Sequence, residues 1–522
     1  MDSDLAHRVR DLTLSLVAFP SINGTPGEAA MGDKLAEILR TLPARRPIEV
    51  STVPADHDPL HRPVVFGRLR GRGGRTAVLM LGHYDVVDVQ DFGQLRDLAF
   101  DPLALTRWYG EHGAGEIREA AQSGDYLFGR GVLDMKGGIA TCIATIERLA
   151  GEDPPEGDLI VALAPDEEAN SVGVKTVRRV CGEMQRSEGL RFVAALNTDS
   201  TSPASPQDPH RYGYTGSIGK LLPAVFLGAV PTHATRLAQG FADPAALLGR
   251  VLAHLTAHPD LVDRYGEQTA APPVVLHVED SRRGYDVQTL NWAWGYLNLL
   301  TMSRTPTEVM ARLLALTREG LGLARRELSD RLASLGLGGV PEIPVLPFSA
   351  LLERLRRERA DADAVLAQAL ALPPDLDLRQ RARQVVEDVW RALGSEPMAV
   401  VFFAQDIMPR VLSDDARLMA AFAAVLRRHG LAETFITRPI YQGISDMSFL
   451  AASPDDAHLD AFRADYPLAH ATPALPQAPE MPMLEIGPSG FDPHQPTERV
   501  QVGWSFDTMP AVVLDLVQTL LA

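Results

Sequence analysis

The sequence predicts an α/β protein whose first domain is interrupted by a smaller α+β domain. Short apolar runs alternate with helical patterns over the first 200 residues, this pattern changes near Arg211, and it returns near Leu412. With 522 residues, of which 46% are hydrophobic and 22% charged, the chain can bury two or three cores. We therefore expect a discontinuous domain, 1–210 and 411–522, around an inserted domain, 211–410.

The first domain is predicted to begin with an amphipathic helix over 4–18, because Leu5, Val9, Leu12 and Leu16 recur at helical spacing. Beyond this helix, apolar runs of strand length alternate with helical patterns. Such alternation is typical of a sheet that is covered by helices on both faces. The predicted strands are 64–69, 76–81, 159–164 and 192–196, and the predicted helices include 28–42 and 136–149.

The inserted domain shows the order β-α-β-β-α-β, which is that of a ferredoxin-like split βαβ sandwich. Its predicted strands are 221–227, 273–278, 296–302 and 399–404, and its predicted helices are 244–254 and 307–323. Residues 329–397 are rich in Arg and Leu, and we expect them to form a helical insertion before the last strand. The α/β pattern then returns with a helix over 415–428, a strand over 434–437 and a closing helix over 511–521.

The composition excludes several classes of function. The 50 basic and 67 acidic residues give a net charge of −17, which disfavours binding to the phosphate backbone of nucleic acids. No apolar run approaches the ~20 residues that a membrane span needs, and the N-terminus lacks the features of a signal peptide. The two cysteines, Cys142 and Cys181, cannot form a disulfide framework. We therefore expect a cytoplasmic protein that binds neither nucleic acid nor membrane.

Polar side chains follow the predicted strands at their carboxyl ends, which is where open α/β sheets bind ligands. A further acid lies in a glycine-rich loop that opens the helix at Lys136. These residues are His83 and Asp85 after the strand 76–81, Asp134 in the glycine-rich loop, Glu167 and Glu168 after 159–164, and Asp199 after 192–196. The sequence therefore predicts one histidine and several carboxylates at one edge of the sheet.

This residue set favours a metal site, because zinc binds imidazole nitrogen and carboxylate oxygen. Two zinc ions need about five to seven protein ligands, including a bridging carboxylate, and a late histidine would complete the set. His494 is the candidate, because it lies in a stiff loop rich in glycine and proline, 487–494. Asp85, two residues beyond His83, is placed to orient the imidazole.

Each of these residues also has a simpler explanation. A His-x-Asp sequence is common, and Glu167-Glu168 alone is usually a solvated acidic turn. Asp134 could be a helix N-cap, and Asp199 could begin a turn. Their joint order, with each acid near a strand end or a helix start, favours the metal site over separate structural roles.

The motifs together resemble those of the co-catalytic di-zinc metallopeptidases, the family of aminoacylase, carboxypeptidase G and succinyl-diaminopimelate desuccinylase. The resemblance covers nearly the whole chain and implies a zinc-peptidase-like catalytic domain with a lid domain. The motifs that carry it are Pro20-Ser21 with Gly27-Glu28, Gly82-His83-Tyr84-Asp85, Gly129-Arg130-Gly131, Asp134-Met135-Lys136-Gly137-Gly138, Glu167-Glu168 and Asp199. Further cues, Pro231-Thr232-His233, Asp243-Pro244 and 400–404, resemble the RocB-like, arginine-utilisation branch.

The resemblance implies a role for each metal-site residue. His83 and Asp199 would hold one zinc, Glu168 and His494 would hold the other, and Asp134 would bridge them. Glu167 would be the general base, and Asp85 would support catalysis beside His83. Mn²⁺ or Co²⁺ could replace zinc. These roles make hydrolysis of an amide or peptide bond the expected reaction.

The resemblance also implies three substrate-facing residues in the lid. His233 would polarise the scissile carbonyl, often across a dimer, which suggests a homodimer through the lid. Asn291 and Arg304 would bind the substrate carboxylate, and they are expected at the start of one lid strand and the end of the next. The substrate would be an N-acyl amino acid or a small peptide, with a link to arginine catabolism. A catalytically inactive, metal-stabilised binding or regulatory protein is the alternative.

The sequence departs from the family pattern in three places. The segment between Asp85 and Asp134 is long, and residues 329–397 enlarge the lid. The family's Gly-Thr-Asp-Ala turn is here Ile444-Ser445-Asp446-Met447. These departures bear on the substrate and on the dimer interface rather than on the metal ligands.

Overall fold

A computed structural model describes residues 3–73, 75–233, 243–285, 287–373 and 376–522. The chain forms two compact units. The first unit comprises Met1–Ser217, Val411–Ala452 and Leu475–Ala522, and the second comprises Ile218–Arg410 and Ser453–Ala474. Residues 453–474 thus belong to the second unit, whereas the sequence analysis placed them in the catalytic domain.

The helices follow the chain in this order: α1 (Ser3–Val17), α2 (Pro26–Thr41), α3 (Pro102–His112), α4 (Gly115–Ser123), α5 (Lys136–Ala150), α6 (Val172–Glu188), α7 (Pro244–Leu255), α8 (Pro306–Ser334), α9 (Phe348–Glu358), α10 (Ala362–Leu370), α11 (Leu378–Ala392), α12 (Ala416–Arg428), α13 (Met447–Leu450), α14 (Leu459–Ala464) and α15 (Met509–Leu521).

The strands follow the chain in this order: β1 (Glu49–Pro54), β2 (Pro63–Leu69), β3 (Thr76–His83), β4 (Tyr126–Phe128), β5 (Asp158–Ala164), β6 (Arg191–Asn197), β7 (Arg211–Tyr214), β8 (Gly216–Ser217), β9 (Gly219–Leu221), β10 (Pro223–Gly228), β11 (Arg264–Tyr265), β12 (Gln268–Thr269), β13 (Val274–Asp280), β14 (Trp292–Thr301), β15 (Val345–Pro347), β16 (Met398–Phe403), β17 (Val411–Leu412), β18 (Phe435–Arg438), β19 (Met483–Glu485), β20 (Gly490–Phe491) and β21 (Arg499–Gln501).

The first unit is built on a mixed eight-stranded sheet in the order β1-β2-β5-β3-β6-β19-β7-β18. The central strands β5, β3, β6 and β19 run parallel, so their carboxyl ends lie at the same edge. Helices α1, α2, α5 and α15 contribute to one apolar core with this sheet. This arrangement confirms the predicted α/β class and the predicted central mixed sheet.

Helix α5 approaches the sheet closely where the polar residues gather. A Cβ atom at Gly138 would clash with the carbonyl oxygen of Thr198, so only glycine allows this approach. Because Thr198 precedes Asp199 and α5 follows Asp134, the close packing draws these two carboxylates toward one another.

The second unit has a largely antiparallel sheet in the order β13-β14-β10-β16-β15, and β9 also pairs with β14. Helices α7 and α8 pack with this sheet in a second apolar core, together with α9, α10 and α11. Helix α8 begins with a capping box, in which Thr305 and Glu308 satisfy each other's backbone N–H groups. The segment predicted as a helical insertion holds the end of α8, the strand β15 and helices α9 to α11.

Within the described ranges, no helix combines the length and the apolar character that a membrane crossing requires.

Candidate metal centre

The parallel strands of the first unit bring the predicted ligands to one edge of the sheet. β3 ends at His83, β5 ends just before the loop with Glu167 and Glu168, and β6 ends two residues before Asp199. Asp134 lies two residues before α5, in the loop that leads to its N-terminus. Because the carboxyl ends of parallel strands meet at one edge, residues far apart in sequence become neighbours.

The ligand atoms form three overlapping groups, and the atoms within each group lie within 4.8 Å of one another. The groups are His83 with Glu167 and Glu168, His83 with Asp134 and Asp199, and Asp134 with Glu168 and His494. Asp134 belongs to two of them. Its Oδ1 lies 3.0 Å from His83 Nε2, and its Oδ2 lies 3.2 Å from His494 Nε2. The two oxygens of one carboxylate therefore face two separate imidazoles, as a bridging ligand requires.

His83 is oriented by Asp85. The buried imidazole has its Nδ1 3.1 Å from the Asp85 carbonyl oxygen and 3.6 Å from Oδ1, which leaves Nε2 facing Asp134. The Asp85 carboxylate also accepts the backbone N–H groups of Glu167 and Glu168, each at 3.1 Å. Burial alone would raise the pKa of Asp85, but the hydrogen bonds from His83 and its other donors hold it below its ordinary value. Asp85 thus stays ionised and positions both the histidine and the acidic loop.

The loop that carries Glu167 and Glu168 is held by a buried ion-pair network. Arg62 Nη1 lies 2.8 Å from Glu28 Oε2 and 2.9 Å from Asp166 Oδ1. Glu28 also accepts the backbone N–H of Asp166 at 3.0 Å. Asp166 has a φ of +69°, in the left-handed region that non-glycine residues seldom adopt. This turn lets the next two side chains, Glu167 and Glu168, both face the centre although they are neighbours.

A second buried carboxylate, Glu498, holds the loop that carries Asp134. Its Oε1 accepts the backbone N–H groups of Gly131, Leu133 and Asp134 at 2.8, 3.2 and 3.3 Å. Its Oε2 lies 2.7 Å from the guanidinium of Arg130, which is also buried. The position of Asp134 therefore depends on a residue that follows it by more than 360 positions.

The centre carries more negative charge than its own side chains can neutralise. Burial and the charge of Asp134 raise the pKa of Asp199 to about 7. Burial, together with nearby carboxylates that include Glu168, raises the pKa of Glu167 well above its ordinary value. Hydrogen bonds to Asp134 and Glu168 raise the pKa of His494 to about 10. A partly buried set of imidazole and carboxylate donors with surplus negative charge fits divalent cations, which bind such atoms in their deprotonated form.

The three predicted lid residues all belong to the second unit. His233 is exposed and lies in an isolated bridge with Gln288. Asn291 is half-buried, and its backbone N–H donates to Ser281 Oγ at 3.0 Å. Arg304 donates from Nη1 to the carbonyl oxygen of Asp260 at 2.6 Å. The structure therefore divides the predicted site residues between the two units.

The predicted placement of Asn291 and Arg304 on successive strands is wrong. Both flank the same strand, β14, with Asn291 before its first residue and Arg304 beyond its last. A strand of 10 residues spans about 33 Å, because each extended residue adds about 3.3 Å. The two residues of one copy are thus too far apart to bind one small carboxylate together.

Sequence reasoning missed several residues that shape the centre. Glu498 and Arg62 had no visible signal, because each acts through partners that are distant in sequence. Asn23 was also missed, and its Nδ2 donates to Asp85 Oδ2 at 2.8 Å. Glu28 and Asp446 stood in recognised motifs, but no role was assigned to either of them.

The fold and the site together define the class of protein. Residues 79–474 match the sequence profile of Peptidase family M20/M25/M40. The chain belongs to this family of metallopeptidases, as the resemblance predicted. Over 532 aligned residues it is 28% identical to the protein RocB of Bacillus subtilis (strain 168), which covers 97% of this chain and 94% of RocB.

Solved structures share the fold. One is the dipeptidase Dug1p from Saccharomyces cerevisiae, with a TM-score of 0.55 and 13% identity, covering 99% of this chain and 97% of Dug1p. Another is the YXEP protein of Bacillus subtilis, described as a dinuclear metal-binding peptidase. It has a TM-score of 0.50 and 12% identity, covering 99% of this chain and 98% of YXEP.

Proposed function

We propose that the protein hydrolyses an amide or peptide bond next to a free carboxylate, using two divalent metal ions. The observation that carries this proposal is the Asp134 carboxylate, whose two oxygens face His83 and His494. Asp199 and Glu168 would complete the two ligand sets. Zinc suits these donors, and Mn²⁺ or Co²⁺ could take its place.

When bound, the metal ions would make water more acidic and polarise the scissile carbonyl. The chain's own residues would do the rest. Glu167, half-buried beside the ligands, would accept the proton of the attacking water and pass it to the leaving amine. Asp85 would hold His83 and the acidic loop in place throughout.

The second unit would supply the substrate contacts. Arg304 would pair with the substrate carboxylate by charge-assisted hydrogen bonds, and His233 would stabilise the developing oxyanion. Asn291 lies at the far end of β14 from Arg304. If both bind one substrate, they must come from two copies of the chain, so such a site would require the proposed homodimer.

The proposed dimer surface is the edge strand β13. Val274, Leu276 and Val278 alternate along it, and each side chain is 48–58% exposed. Exposed apolar edges invite pairing with another strand. Val278→Lys should therefore shift the protein to monomer in light scattering, whereas the control Leu335→Lys, exposed at the end of α8, should not. A wild-type monomer would exclude the dimer.

The substrate is proposed to be an N-acyl amino acid or a short peptide. The dipeptidase Dug1p shares the fold, and the RocB likeness supports a place in arginine or amino-acid catabolism. We also propose a cytoplasmic location, which the two free, buried cysteines support.

A hydrolysis screen tests the proposed activity. Purified protein would be loaded with zinc, manganese or cobalt and given N-acyl amino acids and dipeptides, with Glu167→Gln as the matched control. Turnover by the wild type and its loss in the control are expected. Full metal loading with no turnover of either class would favour the alternative, a metal-stabilised binding or regulatory protein.

A further inference from the structure

Three buried polar side chains lie beside the proposed metal ligands without belonging to them. Asn197 and Glu485 are opposite each other on the neighbouring strands β6 and β19. Asn197 Nδ2 donates to Ser445 Oγ at 2.8 Å, and Ser445 Oγ donates to Glu485 Oε2 at 3.0 Å. Asp446 follows Ser445 directly and is 2% exposed. We call Asn197, Asp446 and Glu485 the acidic subsite.

The acidic subsite offers hydrogen-bond acceptors that no described residue satisfies. Asn197 Oδ1, Glu485 Oε1 and both carboxylate oxygens of Asp446 are buried and receive no hydrogen bond from the described part of the chain. All four atoms are acceptors. Unsatisfied buried polar atoms are costly and rare in folded proteins, so each needs an explanation. A ligand that fits here must bring several N–H or O–H donors.

The charged groups that act on the subsite are mostly acidic, which favours a positively charged ligand. The charged groups that act most strongly on Asp446 are His83, Asp85, Asp199 and Asp166, of which only the histidine can be cationic. Those that act on Glu485 are Asp199 and Asp134. A neutral donor would satisfy the oxygens but leave this negative charge uncompensated.

The two proposed metal ions do not account for the subsite. None of its three residues belongs to the groups of ligand atoms that lie within 4.8 Å of one another. A metal ion bound by His83 and Asp199 would reduce the local negative charge, but it donates no hydrogen bond to the free acceptors. The acceptors therefore need a separate donor.

We propose that the acidic subsite binds a cationic nitrogen group of the substrate, an ammonium or a guanidinium. An ammonium offers three donors and a guanidinium offers five, which suits four free acceptors. This inference rests on the proposed hydrolase function and narrows its substrate class. The cation is either the N-terminal ammonium of a peptide or a basic side chain.

Matched substrates distinguish these two sources. Nα-acetyllysine and N-acetylnorleucine differ only in the side-chain ammonium, and alanyl-leucine and N-acetylalanyl-leucine differ in the N-terminal one. For metal-loaded wild-type protein, kcat/KM should favour the charged member of one pair by at least about tenfold, as a charge-assisted pair would give. Equal kcat/KM values within both pairs would overturn the proposal.

Two isosteric variants test the residues themselves. Asp446→Asn and Glu485→Gln should each lower the preference for the charged substrate by about tenfold or more while binding the same amount of metal. Asp158→Asn is the matched control, because Asp158 is a buried carboxylate at the opposite end of the sheet, at the start of β5. A preference retained in both variants would overturn the assignment.

A binding measurement separates failure of this inference from failure of the proposed function. Calorimetry on metal-loaded protein would compare N-acetylnorleucine, which has no cation, with norleucine and Nα-acetyllysine. Tighter binding of one cationic probe, weakened in Glu485→Gln, would support the subsite even if no substrate is hydrolysed. Equal binding of all three probes would remove it, whatever the hydrolysis screen shows.

Discussion

Asp134 in the first unit and Arg304 in the second are each held by a carboxylate that accepts backbone N–H groups. The pKa of this carboxylate is raised in the first unit and lowered in the second. Glu498 accepts three backbone N–H groups that end at Asp134. Asp263 likewise accepts the backbone N–H groups of Met302, Ser303 and Arg304, at 2.8 to 2.9 Å. One carboxylate thus fixes a run of main chain just before a proposed functional side chain in each unit.

The pKa values of the two holding carboxylates differ because their surroundings differ. Burial raises the pKa of Glu498 to about 7, with the charge of Asp134 adding to the effect. For Asp263, burial also acts upward, but the hydrogen bonds from Ser303 and three backbone groups lower the pKa to about 2. The comparison teaches that donors alone do not set a carboxylate's charge state, because complete burial can outweigh them.

The largest effect on activity should come from replacing Glu167. Other residues position this side chain, and it does not itself fix any of the proposed metal ligands in place. Glu167→Gln keeps size and hydrogen bonding but cannot accept a proton, so kcat should fall by about 10²–10⁴-fold. Metal content should stay at the wild-type value. Glu168→Gln should instead lose metal, because an amide is a poorer ligand than a carboxylate. Metal analysis beside kinetics decides this, and near wild-type turnover in Glu167→Gln would contradict the role.

Replacing Glu498 should lower the unfolding free energy more than replacing Asp263. Glu498→Gln leaves the buried Arg130 guanidinium without its closest carboxylate partner, which should cost about 3–5 kcal/mol of unfolding free energy. Asp263→Asn strands no fully buried cation and should cost less. Urea unfolding of both variants measures the difference. Equal losses would show that the backbone contacts, rather than the buried ion pair, dominate.

Removing the Arg304 side chain should weaken substrate binding without changing the metal content. Arg304→Ala should raise KM for carboxylate substrates by roughly thirtyfold, equivalent to about 2 kcal/mol for the loss of one member of a charged pair. Arg312→Ala, an exposed arginine on α8, is the control. Unchanged kinetics in Arg304→Ala would remove this residue from the proposed site.

The smallest effect should be the pH dependence that Asp263 contributes. Its folded pKa of about 2 lies below its unfolded value of about 3.9. Its stabilisation, about 2 kcal/mol, is therefore complete above about pH 4 and is lost as the pH falls through about 2. Unfolding free energies of wild type and Asp263→Asn should converge across that range. A constant difference from neutral to strongly acidic pH would contradict the assignment.

The sequence was sufficient to predict the features that local residue patterns determine. Apolar runs predicted the central strands, and the acids that follow them were expected at one edge, where His83 and Asp199 lie in one ligand group. The family motifs predicted the family itself, which the profile match confirms. Hydrophobic periodicity and turn-forming residues depend on a few neighbouring positions, so they can be recognised in a single sequence.

Contacts between distant segments were not predictable in this way. Nothing near Arg62 indicates that it would pair with Glu28 and Asp166. Asn291 and Arg304 were placed on two strands because the family resemblance implied it, whereas their thirteen-residue spacing also fits one long strand. The structure resolves this choice through the pairing of β14 along its full length with its neighbours.

The discontinuity of the first unit has a consequence for synthesis of the chain. His494 and Glu498 lie in its last segment, Leu475–Ala522, after the whole second unit has been made. Until that segment leaves the ribosome, Asp134 lacks both its second imidazole and the carboxylate that fixes its loop. A nascent chain therefore carries an incomplete cluster of acids while the second unit is being made, and the centre can assemble only after the segment Leu475–Ala522 has emerged.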